Sequence, residues 1–110
     1  AMNSIQKPDD LYRLDRNGRV TQLTAVNAGR LAELDPVTFT KWNFAGANNA
    51  TVWGYTLKPA GAQGKLPVAF IVHGGPQGSF NNSWSYRWNP RVFSGPGYAV
   101  VSVDFHGSTG

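Results

Sequence analysis

Two apolar runs without alternation constrain this chain most. Leu66-Pro67-Val68-Ala69-Phe70-Ile71-Val72 ends directly on His73-Gly74-Gly75-Pro76. Ala99-Val100-Val101-Ser102-Val103 ends on Asp104-Phe105-His106-Gly107-Ser108-Thr109-Gly110. A strand with one wet face alternates apolar and polar residues, whereas a continuous apolar run is what a parallel strand covered on both faces requires. Parallel neighbours need a crossover of about a dozen residues or more, and residues 74–97 supply it. Within that crossover Asn89-Pro90 reads as a helix start, Asn at the N-cap and Pro at the first helical position. Gly95-Pro96-Gly97 ends the helix within a few residues, so it is short, and the loop 77–88 before it is long and aromatic. The fold class expected from these elements is α/β.

Upstream of the first run the pattern is antiparallel. Leu11–Leu14 and Arg19–Leu23 flank Asp15-Arg16-Asn17-Gly18, a hairpin signal, because Asn and Gly both tolerate positive φ. A lone hairpin is marginal in water and needs neighbouring strands. Residues 27–34 read as a short helical connector that stops before Asp35-Pro36, since proline disfavours helical geometry at the residue preceding it. Residues 37–44 and 51–57 read as two strands around the loop 46–50. In the second, Trp53, Tyr55 and Leu57 share one face. In the first, the apolar phase shifts between Phe39 and Trp42, which a bulge or burial on both faces would explain.

Composition closes off several functions. The ten Lys and Arg against six Asp and Glu give a net charge of +4, but the basic residues are scattered; a nucleic-acid footprint needs a patch or stripe. Two His and no Cys offer no ligand cluster at a recognised metal spacing, so no metal and no other cofactor is expected. The lack of Cys excludes disulfides and thiol chemistry without fixing a compartment. No run of 18 apolar residues exists, so no membrane-spanning helix is expected, and Ala1-Met2-Asn3-Ser4 is too polar to open a signal peptide.

The glycine-rich turn at 73–76 is where chemistry concentrates. Glycine accepts unusual backbone angles and has no Cβ to obstruct a ligand, and a turn of this kind exposes N–H donors. Its plainer reading is a tight turn after a buried strand. Taken together, the segments 67–76, 84–90 and 97–110 closely resemble the prolyl oligopeptidase family of serine peptidases, within it the acylaminoacyl-peptidase and dipeptidyl-peptidase 5 branch. Leu11-Tyr12-Arg13-Leu14-Asp15 and Leu23-Thr24 look like that family's last propeller strands. The resemblance implies the N-terminal part of an α/β-hydrolase fold preceded by a hairpin from the last blade of a β-propeller. Residues 1–26 would be the end of the propeller, 27–36 the interdomain connector and 37–110 the start of the peptidase domain.

The resemblance assigns roles residue by residue. Gly75 would offer its backbone N–H to the oxyanion of the acyl-transfer intermediate, with Gly74 and Pro76 shaping the turn. The loop at this place supplies half of the oxyanion hole in an α/β-hydrolase. His73 invites reading as a general base, but the family's catalytic His follows the nucleophile, so His73 is expected to pack and position the loop. Asp104 is excluded as the triad acid by the same chain order and is read as a loop cap. His106 stands where acylaminoacyl-peptidase-like members often carry Arg, which leans towards the dipeptidyl-peptidase 5 group. Trp84, Tyr86 and His106 are the candidate substrate-binding residues, packing over the sheet being the alternative for the two aromatics. No Ser has Gly at both −2 and +2, so the chain holds no nucleophile elbow. It reads as a segment across the domain junction, truncated before the nucleophile and inactive alone.

The expected partners are short peptide substrates and the remainder of the hydrolase domain, with homo-oligomerisation left open and neither nucleic acid nor membrane expected. The resemblance leans towards a periplasmic or secreted setting. Two alternatives stay open at this point. Trp42, Trp53, Trp84 and Trp88 among Asn and Gly would also suit a ligand- or carbohydrate-binding β-module, and the chain could be an inert structural fragment.

Overall fold

The computed structural model describes residues 1–75 and 77–109 and divides them into two compact units, Ala1–Leu34 with Asn82–Asn89 and Asp35–Asn81 with Pro90–Gly110. Pro76, assigned above to the glycine-rich turn, and Gly110 lie outside the described residues.

The first unit is built from two hairpins. β1 (Met2–Ser4) pairs antiparallel with β2 (Lys7–Asp10). Its sequence gave no strand signal, being polar and carrying Pro8. β3 (Tyr12–Leu14) pairs with β4 (Val20–Gln22) as the turn dipeptide predicts. In that turn only Gly18 takes a positive φ, +79°. The Gly18 N–H donates to the Asp15 carbonyl and the Asp15 N–H to the Arg19 carbonyl, which makes a three-residue loop closed by a left-handed glycine. The Asp15 carboxylate accepts from the N–H groups of Asn17 and Arg19, holding the loop from inside. Asp10 is buried, and its carboxylate accepts from Thr24 Oγ1, the Val26 N–H and Gln22 Nε2, so the charge is matched by three donors. α1 (Ala28–Ala32) follows and stops at Glu33, ahead of Asp35-Pro36.

The segment 82–89 joins this unit through amide side chains. The Ile5 N–H donates to Asn82 Oδ1 at 3.0 Å and the Trp84 N–H to Asn3 Oδ1 at 3.0 Å. Contacts between residues so far apart along the chain leave no periodic trace in sequence.

The second unit is a four-stranded mixed sheet. β5 (Val37–Ala45) and β6 (Thr51–Pro59) form an antiparallel hairpin, β6 pairs antiparallel with β8 (Ala99–Asp104), and β8 pairs parallel with β7 (Val68–Ile71). The order is β5-β6-β8-β7. The parallel pair is the one expected from the two apolar runs. α2 (Arg91–Ser94) lies in the crossover between them, with its N-cap at Pro90, one position later than the Asn89 cap the sequence implied; helix ends shift this much between definitions.

The phase shift in β5 resolves without a bulge. Register runs unbroken from Val37↔Pro59 to Ala45↔Thr51. Phe39 stacks on Tyr55 on one face (centroids 5.6 Å apart), while Trp42 crosses to the other face and covers Gly54, its cross-strand partner. The Trp42 Nε1–H donates to Thr56 Oγ1 at 2.8 Å, so the half-buried indole keeps its polar edge satisfied. Gly54 is required because any Cβ there would fall inside the Trp42 ring.

Leu57, Val100, Ser102 and Asp104 are buried on one face of the sheet, and Val52 and Gly54 of β6 on the other. On that second face Val68 and Phe70 are each 59 % exposed. The expectation that both faces of β7 are covered is therefore met on one side only among the described residues. The continuous apolar pattern of Val68–Ile71 exceeds what this unit buries.

Candidate active site

Parallel pairing puts the loops that follow β7 and β8 at the same edge of the sheet, because Ile71 stands opposite Ser102 and both strands run the same way. Ligands of open α/β sheets bind in the crevice outside the carboxyl ends of such strands. Here that edge carries both glycine-rich segments.

After β8 the chain turns sharply through Phe105-His106-Gly107-Ser108. The Ser108 N–H donates to the Phe105 carbonyl at 2.9 Å, and Gly107 has φ +96° while His106 does not enter the positive region, which fits a type II turn. The Thr109 N–H then donates to the Gly78 carbonyl at 2.9 Å, tying this turn to the loop after β7. A second tie comes from Asp104. Its carboxylate, 6 % exposed, accepts the Phe80 N–H at 2.7 Å, which is the loop-capping role expected for it. Burial, and next the negative charge of Asp104, keep the Tyr55 phenol above its ordinary value of 10.0.

His73 is half-buried between Phe105, stacked at 4.4 Å, and Phe80, edge-on at 5.4 Å. Its Nδ1 lies 2.9 Å from the Gly74 carbonyl oxygen and its Nε2 lies 2.7 Å from Ser108 Oγ. A carbonyl only accepts, so Nδ1 carries the proton. In the neutral ring Nε2 then accepts from the Ser108 hydroxyl. The sequence reading missed the Ser108 contact, since 35 residues separate the pair and no motif spacing links them. A serine hydroxyl on a histidine nitrogen is half of a nucleophile–base arrangement. However, Nδ1 here meets a backbone carbonyl rather than a carboxylate, and Ser108 is not on an elbow.

Gly75 is exposed in the turn, and among the described residues nothing accepts from its N–H. Its φ is not in the left-handed region, so that rationale for glycine fails at this position. Space is the operative reason, since an added Cβ would sit 3.1 Å from the Gln77 nitrogen. Gly78 is a further requirement that sequence reasoning passed over. A Cβ there would meet the Gly74 carbonyl oxygen at 3.1 Å and His73 Nδ1 at 3.2 Å.

His106 is exposed at a hollow of about 250 Å³ whose lining also includes Thr51, Trp53, Asp104 and Ser108. Gly75 and His106 thus belong to the same unit. Trp84 and Tyr86 belong to the other, where their rings meet edge to face at 5.9 Å; Tyr86 is 80 % exposed, whereas Trp84 Nε1 is buried without a partner among the described residues.

No family model matches the chain. Dipeptidyl-peptidase 5 of Porphyromonas endodontalis is 38 % identical over 115 residues, taking in 100 % of this chain and 16 % of its own length. A probable dipeptidyl-peptidase 5 of Emericella nidulans is 44 % identical over 106 residues, 92 % of this chain and 14 % of the relative. Among solved structures, the acylaminoacyl peptidase of Pyrococcus horikoshii superposes with a TM-score of 0.79 at 29 % identity, covering 96 % of this chain and 17 % of that one. An acylaminoacyl peptidase in complex with Z-Gly-Gly-Phe-chloromethyl ketone gives 0.80 at 29 % identity over the same shares. The chain therefore spans about a sixth of the length of these four proteins.

Proposed function

We propose that this chain, which belongs to the prolyl oligopeptidase family of serine peptidases in the branch of dipeptidyl-peptidase 5 and the acylaminoacyl peptidases, carries one oxyanion donor of such a peptidase, the Gly75 N–H. Residues 37–110 form the beginning of the α/β-hydrolase domain, 27–36 the connector and 1–26 the end of a propeller. The complete enzyme hydrolyses short peptides through an acyl-enzyme. One observation supports this reading: an exposed Gly75 N–H, unpartnered among the described residues, at the carboxyl edge of a parallel strand pair.

The chemistry follows from that position. When the nucleophile, supplied from outside these residues, adds to the scissile carbonyl, the π electrons move onto oxygen. A donor already fixed at that point stabilises the new charge without reorganising, which is worth about 2.7–4 kcal/mol per donor. The carbonyl reforms as the amine leaves with the proton the nucleophile gave up, and water repeats the cycle on the acyl-enzyme, returning a proton to the nucleophile. His106, on the turn after β8 in the same unit as Gly75, is retained as a substrate-binding residue, and Trp84 and Tyr86 of the other unit are retained as aromatic substrate-binding candidates.

Gly75→Ala in the complete peptidase tests the reading. The added Cβ must displace the Gln77 backbone or tilt the Gly75 peptide, so kcat should fall about 10²- to 10³-fold, the range for losing one oxyanion donor. An enzyme with normal turnover and Ala at 75 would contradict it.

A further inference from the structure

We propose that Ser108 is a positioning residue for the oxyanion turn, acting through His73 on the direction of the Gly75 N–H. The proposal deepens the assignment of Gly75 above and rests on it. The Gly74 carbonyl and the Gly75 N–H are opposite ends of one planar peptide unit. Whatever fixes the carbonyl fixes the direction of the N–H. The group that fixes it is His73 Nδ1–H, 2.9 Å from the Gly74 oxygen.

That bond exists only if the ring keeps its proton on Nδ1 and does not flip. Phe105 and Phe80 confine the ring plane, but a ring flipped by half a turn still fits between them. Ser108 removes the ambiguity. Its hydroxyl, 2.7 Å from Nε2, supplies the donor that an unprotonated Nε2 needs. Without it a half-buried nitrogen lone pair goes unsatisfied, and the opposite tautomer gains ground. The Ser108 oxygen is itself placed by the type II turn at 105–108 and by the Thr109 N–H bond to Gly78. Gly78 completes the arrangement from the other side, its bare Cα leaving room for the Gly74 oxygen and His73 Nδ1. The relay therefore runs from Ser108 Oγ–H to His73, from His73 to the Gly74 carbonyl, and across that peptide to the Gly75 N–H. It places the oxyanion donor from the turn that follows β8.

The test uses the complete peptidase with Ser108→Ala and Ser108→Thr, steady-state kinetics, melting temperature and solid-state 15N spectra of histidine-labelled protein, the His73 signals being assigned by their loss in His73→Gln. Wild type should show the Nδ1-protonated tautomer. Ser108→Ala should lose it, and kcat should drop about 10- to 100-fold with KM held within about two-fold, less than the loss of the donor itself. Ser108→Thr, which keeps the hydroxyl, should restore both readouts. A residue that only stabilises the fold would move the melting temperature and leave the tautomer and kcat of folded enzyme alone. Retention of the tautomer in Ser108→Ala, or an unaltered kcat, overturns the positioning role. If Gly75→Ala lowers kcat while Ser108→Ala does not, only the relay falls. If both leave kcat unaltered, the oxyanion assignment falls with it.

Discussion

Two glycines at 75 and 78 show how a residue type can be right for a reason that sequence does not reveal. Gly75 was singled out by the His73-Gly74-Gly75-Pro76 motif, yet its backbone is not left-handed, and what an added Cβ would meet is the Gln77 nitrogen at 3.1 Å. Gly78 carries no motif, and only the folded loop shows that its Cβ would crowd the Gly74 carbonyl at 3.1 Å and His73 Nδ1 at 3.2 Å. Gly78→Ala should lower kcat of the complete peptidase about 10-fold or more, because the Gly74 carbonyl must yield by a few tenths of an ångström; turnover at the wild-type rate would show that the turn adapts freely. Asp104 allows a second check. Its negative charge is the lesser of two causes, after burial, that hold Tyr55 above 10.0. Asp104→Asn keeps an oxygen for the Phe80 N–H but removes the charge, so the Tyr55 titration should move down, followed by tyrosinate absorbance against a Tyr55→Phe control. The folded state favours neutral Tyr55. Its contribution to stability is therefore complete below pH 10 and lost as pH rises through the native pKa. Tyr55→Phe should remove that part of the alkaline loss.

At the scale of elements, sequence was informative wherever the signal was local. The Asn17-Gly18 turn and the stop before Asp35-Pro36 follow from residues within a few positions, and the parallel pair β7–β8 from two apolar runs each continuous in itself. The phase shift in β5 was visible, but choosing between bulge and two-sided burial required knowing that Trp42 faces Gly54 across the hairpin. The β1–β2 hairpin was not legible, because its polar strands lack any alternation and its buried anchor, Ile5, sits outside both strands. The Trp42–Gly54 pair makes its own prediction. Gly54→Ala forces the indole off the strand and breaks its bond to Thr56 Oγ1. It should destabilise the domain by about 1–3 kcal/mol, the usual range for overpacking, read from denaturant midpoints; an unshifted midpoint would mean that Trp42 does not hold this position.

At the scale of the whole molecule, the sheet's apolar pattern exceeds its burial. Leu57, Val100 and Val52 are buried in the second unit, while Val68 and Phe70 stay 59 % exposed on the strand whose sequence reads as covered on both sides. Strands of that kind occur with both faces packed. The residues alone should therefore bind a hydrophobic dye and unfold without a sharp transition, whereas the complete peptidase should do neither; a cooperative, dye-free melt of the 110 residues would contradict this. The carboxyl edge of that sheet is where the Gly75 N–H would meet substrate. A crystal structure of the complete peptidase with a peptidyl chloromethyl ketone or boronate trapped on its nucleophile would decide this. The Gly75 nitrogen should lie about 2.7–3.1 Å from the tetrahedral oxygen, with His73 Nδ1 still on the Gly74 carbonyl. An oxygen held by other donors, with the Gly75 nitrogen out of hydrogen-bond reach, would contradict the account.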